Sequence, residues 1–219
     1  MSETPVTTLT PGIPAPVALL PGWYGKLPHL GDFASRRLPE AFIGGWDAWL
    51  RHALAHSREA LGPRWLQGYL VAPIVRFWLA PGLLGDTSWT GLLMPSIDRV
   101  GRHFPLAVAQ PDVALARAQA ASGWFEALDA AMRRALDVDF TVEDLEQALA
   151  QAVRDAPLPA EAPGGSSGGE GAGSWGAWDG AAVTSGSHWW FQRAGGELRC
   201  RFDALPPAVA VAELLGACA

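Results

Sequence analysis

The sequence has little of what marks a disulfide-rich, secreted or membrane-spanning protein. It has only two cysteines, Cys200 and Cys218, and neither lies in a C-x-x-C pair. We therefore expect reduced thiols, as in a cytoplasmic protein. No run of about 18 apolar residues occurs, so we expect no membrane insertion. The N-terminus lacks the basic region and small-residue cleavage site of a secretory signal.

The sequence also lacks an excess of basic residues. Its net charge is −6, whereas a nucleic-acid-binding domain normally carries a basic face. It contains no polybasic helix that would attract anionic lipid. We therefore predict that neither nucleic acid nor a membrane is its partner.

Recognisable catalytic and metal-binding motifs are missing as well. Ser96, Asp98 and His103 are the residue types of a hydrolytic triad, but no G-x-S-x-G elbow is present. His29 and Asp32 add further metal-ligating types, at spacings that match no zinc or EF-hand pattern. The P-loop order of glycine and lysine is absent too. We predict no catalytic residue, no metal and no cofactor.

Apolar residues are plentiful and predict a well-packed core. They make up 49% of the 219 residues, and eleven are tryptophans. Residues 1–21 are rich in proline and threonine, which predicts a disordered arm. Residues 22–219 are predicted to form one domain, interrupted by a flexible Gly/Ser-rich loop at 157–180.

Helical periodicity is clearest in residues 39–61, where Trp46 and Trp49 belong to an apolar stripe predicted to face the core. A second helical region, 113–136, is expected to break near Ser122-Gly123. Two more helices are predicted. One runs from a capping box at Thr141 and Asp144 to about Arg154, and the other covers 207–215.

Alternating apolar and polar residues predict strands, bounded by glycine or proline. The predicted strands are residues 69–79, 89–94, 104–109, 188–193 and 197–202. Short connections favour antiparallel pairing of neighbours. The fold class predicted is α/β, a three-layer α-β-α sandwich with a mixed or largely antiparallel central sheet.

Two charged loops, residues 25–36 and 96–103, are the predicted functional region. Their cations admit two interpretations. They form an anion pocket for phosphate or carboxylate, or they pair internally with Asp32, Asp47 and Asp98 as a structural network. The cations concerned are Lys26, Arg36, Arg99 and Arg102. We expect a mixture, in which Asp98 and one arginine are structural and the other arginine is free to meet a partner.

Two long stretches resemble a known family. They are GWYGKLPHLGDFASRRLPEAFIGGWDAWL, residues 22–50, and GLLMPSIDRVGRHFPLAVA, residues 91–109. The patterns G-K-L-P-x-x-G-D-F and P-S-x-D-x-x-G-R-x-F-P resemble the TagF family, also called ImpM, of bacterial type VI secretion systems. The positions that match the family pattern are Gly25, Lys26, Gly31, Asp32, Phe33, Ser96, Asp98, Arg99, Gly101 and Arg102.

This resemblance implies a non-enzymatic, cytoplasmic regulator, typically a post-translational repressor. Family members act by protein-protein contact with a forkhead-associated scaffold protein of the apparatus. Some are fused to a protein phosphatase, which for this chain is expected to be a separate protein in the same pathway. The alternative is a small-anion sensor or an uncharacterised enzyme that uses the two charged loops.

The resemblance assigns no catalytic role to the matching positions. The set predicted to bind a partner or to form a structural charged cluster is Lys26, Asp32, Arg36, Ser96, Asp98, Arg99 and Arg102, together with the motif glycines Gly25, Gly31 and Gly101.

Overall fold

The computed structural model describes residues 19–160, 184–193 and 195–219. Most of the predicted N-terminal arm (1–21) and most of the predicted loop (157–180) lie outside the described residues. The division of the chain into an arm and one domain therefore stays a prediction.

A single antiparallel sheet forms the centre of the described structure. Its strands run in the order β2-β1-β5-β4-β3-β6-β7, and every neighbouring pair is antiparallel. The bounds are β1 Gly22–Gly25, β2 Ala34–Arg36, β3 Val75–Leu79, β4 Trp89–Met94, β5 Leu106–Pro111, β6 Ser187–Arg193 and β7 Gly196–Phe202. The predicted α/β class with a largely antiparallel sheet is confirmed.

Helices cover both faces of this sheet and make two separate cores. The helices are α1 Glu40–Leu61, α2 Trp65–Leu70, α3 Leu115–Gln119, α4 Ser122–Arg134, α5 Val142–Asp155 and α6 Ala208–Gly216, with a 3-10 turn at Gly62–Arg64. One core joins α3, α4 and α5 to the sheet, and the other joins α1, α2 and α6 to the opposite face. Layers of helix, sheet and helix result, as expected for elements that each have one apolar face. Within the described ranges, no helix combines the length and apolar character needed to cross a bilayer.

The predicted strand over residues 69–79 is wrong in its first half. Gly62 and Pro63 end α1, but the chain continues as a 3-10 turn and then as α2, so Tyr69 is helical. Trp65 and Tyr69 are four residues apart and stack with ring centroids 4.9 Å apart, as neighbours on one helix side do. Strand β3 begins only at Val75.

Three smaller predictions can be compared with the structure. The break expected near Ser122-Gly123 is present, because α3 ends at Gln119 and α4 begins at Ser122. Strand β5 begins at Leu106 instead of residue 104. The capping box of α5 is confirmed, since Thr141 Oγ1 accepts from Asp144 N at 3.2 Å and Thr141 N donates to Asp144 Oδ2 at 2.9 Å.

The apolar stripe of α1 faces the sheet as predicted, and its two tryptophans differ in how far they are buried. Trp46 is fully buried against Phe77 and Trp189, with ring centroids 4.9 and 6.1 Å away. Trp49 is only half-buried, and its Nε1 donates to the carbonyl of Pro206 at 2.8 Å. It still packs on the core, with its ring centroid 5.4 Å from that of Trp189, at the rim where α1 meets the segment before α6.

Candidate functional site

The sheet brings the two charged loops to the same end of neighbouring strands. We call residues 26–33, which link β1 to β2, the first loop, and residues 96–103, which link β4 to β5, the second loop. Tyr24 near the end of β1 is paired with Ala107, and Met94 at the end of β4 is paired with Leu106. Both loops therefore leave the sheet beside the beginning of β5.

A glycine makes this close approach possible. Gly25 has φ of 147°, and a Cβ at this position would overlap the carbonyl oxygen of Pro105. Only glycine combines that dihedral angle with a backbone contact so close. The G-K pair of the first motif thus begins with a residue required by packing.

A tight turn forms the tip of the second loop. Gly101 N donates to Asp98 O at 2.9 Å, which places Arg99 and Val100 at the two central positions of a turn. Gly101 has φ of 81°, a left-handed conformation that favours glycine. At the base of the loop, Asp98 N donates to Arg102 O at 3.1 Å. The loop is thus hydrogen-bonded along its length.

The two loops are also hydrogen-bonded to each other. Ser96 Oγ donates to the carbonyl of Lys26 at 2.7 Å. Arg99 N donates to the carbonyl of Leu30 at 2.8 Å, and Arg102 Nη2 donates to the carbonyl of Gly31. Backbone carbonyls of the first loop are therefore satisfied by the second, and the two form one rigid unit.

Asp98 is the centre of that unit and is almost wholly buried. Its carboxylate accepts from Lys26 Nζ, from Arg102 Nε at 2.6 Å, and from the backbone N–H groups of Val100 and Arg102 at 3.0 and 2.8 Å. Burial alone would raise its pKa. The bonds from Lys26 and Arg102 outweigh burial and hold the pKa of Asp98 well below its usual range.

Of the seven residues predicted for the charged cluster, four have side chains that come together, whereas the side chains of Asp32, Arg36 and Arg99 do not join them. Lys26, Ser96, Asp98 and Arg102 form the joined unit. Arg36 instead pairs with Glu143 of α5 at 3.5 Å, with both side chains exposed.

The prediction of acidic partners for these cations is confirmed only in part. Asp98 does pair with Lys26 and Arg102. Asp32 is exposed and accepts from the backbone N–H of Phe33 at 2.8 Å, with no ion pair in the described structure. Asp47 pairs with Arg51, at 2.5 Å, instead of with a loop cation.

Arg99 differs from every other cation of the two loops. Its side chain is exposed and, within the described ranges, has no ion pair and no side-chain hydrogen bond. The geometry therefore matches the mixed expectation, in which Asp98 and Arg102 are structural and Arg99 is free. Whether Arg99 meets a partner stays a prediction.

The residues of a hydrolytic triad are not arranged as one. The Ser96 hydroxyl donates to a backbone carbonyl, and the backbone N and O of Ser96 are both bonded to the hydroxyl of Tyr69. The His103 ring lies edge-on to Trp65 and Tyr69. Burial, and then the positive charge of Arg58, lower the pKa of His103. In the part of the chain that the structure describes, no three metal-ligating side chains are grouped.

Sequence reasoning missed two cations that lie beside the joined loops. Arg51 and Arg58 of α1 line a cleft together with Lys26 and Arg102. They are seven residues apart, which is about two helical turns and places them on one side of α1. That spacing was the available signal, but the sequence gives no sign of which loops this side faces.

The structure thus defines a three-layer α/β protein with two charged loops that are joined by hydrogen bonds and a buried ion pair. A family profile described as TagF N-terminal domain, type VI secretion system-associated, matches residues 22–152. That span is more than half of the chain, so the chain belongs to the TagF family and is an accessory protein of type VI secretion systems.

One solved structure supports the same assignment. The crystal structure of PA0076 from Pseudomonas aeruginosa PAO1 is 37% identical, and the match covers 89% of this chain and 93% of that chain. The TM-score is 0.70, so the two share a fold as well as sequence. No curated protein matches the chain.

Proposed function

We propose that this protein is a non-enzymatic, cytoplasmic regulator that represses a type VI secretion system after translation. It does so by binding a forkhead-associated scaffold protein of the apparatus. Membership of the TagF family supports the secretion assignment. The observation that carries the binding proposal is the free side chain of Arg99 on a loop whose backbone is held by hydrogen bonds on both sides of its tip.

The rigidity of the loop favours binding. Hydrogen bonds from Arg99 N to Leu30 O and from Gly101 N to Asp98 O fix the backbone on both sides of the tip. A surface that is already ordered loses little conformational entropy when a partner binds. Arginine is also enriched among the residues that dominate interface energies.

The neighbouring residue adds apolar surface. Val100 is 67% exposed at the tip of the turn, directly beside Arg99. A partner that offers a carboxylate or phosphate next to an apolar depression would engage both side chains. We assign the scaffold contact to this tip.

The absence of enzyme activity is part of the proposal. It is supported by the Ser96 hydroxyl, which is held by the carbonyl of Lys26, with no hydrogen bond to His103 in the described structure. A nucleophile needs a base within hydrogen-bond distance. We therefore assign any dephosphorylation in the pathway to a separate protein phosphatase.

The test uses Arg99→Ala in the full chain. Affinity for the purified scaffold protein of the same bacterium is measured by calorimetry, and secretion is measured by immunoblot of culture supernatants. We expect binding to fall at least about tenfold and repression to be lost, with an unchanged melting temperature. The matched control is Arg193→Ala, because Arg193 is also an exposed arginine but belongs to neither loop and lies at the end of β6, two strands from β4 in the sheet.

Two results would overturn the proposal. One is full scaffold binding by the Arg99→Ala variant. The other is an equal loss of binding in both arginine variants, which would mean that general charge and not the loop tip is responsible.

A further inference from the structure

A cleft between the joined loops and helix α1 is unusually rich in cations. Its polar lining residues are Lys26, Arg51, Arg58, Arg102 and His103, and its apolar lining residues are Phe33, Leu54, Ala55 and Phe104. In the part of the chain that the structure describes, no carboxylate lines it. The cleft is on the α1 side of the second loop, whereas Arg99 does not line it.

Carboxylates neutralise only half of the positive charges that line the cleft. Asp98 is shared by Lys26 and Arg102, and Asp47 is paired with Arg51. Arg58 has no carboxylate partner in the described ranges. Four cations against two carboxylates leave two positive charges facing the cleft.

These cations retain free hydrogen-bond donors. Among the described residues, the Arg58 guanidinium makes a single hydrogen bond, a long one of 3.5 Å from Nη2 to the carbonyl of His103. The Nη1 group of Arg102 has no acceptor within hydrogen-bond distance in the described structure, although Nε and Nη2 of the same residue are bonded. Donors that no protein group uses are available to a ligand.

Aromatic rings hold three of the cations in place. Lys26 Nζ and Arg51 Cζ lie 4.8 and 5.3 Å from the ring centroid of Phe33. Arg58 Cζ lies 4.3 Å from the ring centroid of Trp65. Such contacts restrict long side chains before any ligand arrives, which favours binding.

We propose that this cleft is a binding site for a phosphate monoester. The two unbalanced positive charges suit a group that carries about two negative charges at neutral pH, which a phosphate monoester does and a carboxylate does not. Guanidinium groups also match phosphate oxygens by paired hydrogen bonds. The source is a phosphorylated side chain of a protein, which is such a monoester, or inorganic phosphate, which offers the same charge and oxygen acceptors.

The histidine in the cleft offers a direct readout. Arg58 lowers the pKa of His103 and Asp98 raises it, and burial lowers it most. A bound dianion would offset Arg58 and stabilise the imidazolium, so the pKa of His103 rises on binding.

The test is an NMR titration of the full chain that follows backbone amides and the His103 ring. The probes are inorganic phosphate, acetate, and a phosphoserine peptide with its unphosphorylated counterpart. We expect phosphate and phosphopeptide, but not acetate or the plain peptide, to shift signals of the cleft and raise the pKa of His103. Tighter binding of the phosphopeptide than of inorganic phosphate identifies a protein side chain as the source, and equal binding identifies the free ion.

The decisive variant is Arg58→Gln, because Arg58 is exposed and its removal leaves no carboxylate unpaired. We expect phosphate affinity to fall about tenfold, the usual scale for one charge-assisted hydrogen bond, with unchanged affinity in the control Arg193→Gln. Equal losses in both variants, binding of acetate as strong as that of phosphate, or no shift at the cleft would overturn the inference.

This inference goes beyond the proposed function and does not require it. Loss of phosphate binding in Arg58→Gln with intact scaffold binding would leave the Arg99 interface as a separate site. Loss of scaffold binding in Arg99→Ala leaves the phosphate titration unaffected. Either proposal, the Arg99 interface or the phosphate cleft, can therefore be refuted without refuting the other.

Discussion

Lys26 and Asp98 are 72 residues apart in the chain and form an ion pair that is almost wholly removed from solvent. Two buried charges are costly to desolvate unless further hydrogen bonds satisfy them. Asp98 meets this condition through Arg102 and two backbone N–H groups. The pair therefore joins the two loops, and removing it should lower the free energy of unfolding.

Asp98→Asn should lower the free energy of unfolding by about 3–5 kcal/mol, because Lys26 then remains buried without a counter-charge. Urea denaturation of the purified protein measures the change. The matched control is Asp32→Asn, at an exposed loop aspartate without an ion pair in the described structure, which should stay within about 0.5 kcal/mol. Similar losses in the two variants would contradict a special role for Asp98.

Because of the same ion pair, the free energy of unfolding should depend on pH in the acidic range. The pKa of Asp98 is lowered in the folded protein, so its contribution is fully present above the unfolded value of about 3.9 and is lost as pH falls below it. The difference in unfolding free energy between wild type and Asp98→Asn should therefore shrink between pH 6 and pH 3. A constant difference over that interval would mean that the carboxylate is not preferentially ionised in the folded state.

Two tryptophans of α1 should contribute different amounts to the free energy of unfolding. Trp46→Ala should cost about 3–5 kcal/mol, as expected for a large aromatic side chain removed from a core. Trp49→Ala should cost less, about 2 kcal/mol, since it removes a half-buried ring and one hydrogen bond. Chemical denaturation of both variants provides the comparison, and equal costs would argue against the difference in burial.

The motif glycines should tolerate alanine very differently. Gly25→Ala should abolish soluble folded protein, because the added Cβ overlaps Pro105 O and φ is positive. Gly31→Ala should leave the melting temperature nearly unchanged, because its Cβ would lie 3.5 Å from Arg99 Nη2, an ordinary contact. Soluble yield and thermal melting distinguish the two, and a well-folded Gly25→Ala variant would refute the packing argument.

Much of the fold could be predicted because its signals are local. The apolar stripe of α1, the capping box at Thr141 and the antiparallel pairing of β4 with β5 each depend on nearby residues. Tyr69 was assigned to a strand because Gly62 and Pro63 are typical of the end of a helix. The chain instead continues after them as a 3-10 turn and a second helix. Local signals do not tell whether a helix break is followed by a strand.

The sequence predicted the charged loop residues of the candidate site, but not which of them contact one another. The loop charges were visible in the sequence, yet which cation binds Asp98 depends on how β1, β5 and β4 align across the sheet. Arg51 and Arg58 enter the cleft because α1 packs against that sheet. Contacts between distant segments cannot be derived from spacing along one segment.

The strand order also determines how other chains can approach this protein. The sheet ends at β2, which is only three residues long, and at β7, where Glu197, Arg199 and Arg201 alternate with apolar residues. A short or charged edge strand is a poor template for another chain's backbone. Arg36, the last residue of β2, also pairs with Glu143 of α5. Recognition by added β-strands is therefore disfavoured at both edges, and the same features protect a tryptophan-rich protein from edge-to-edge aggregation.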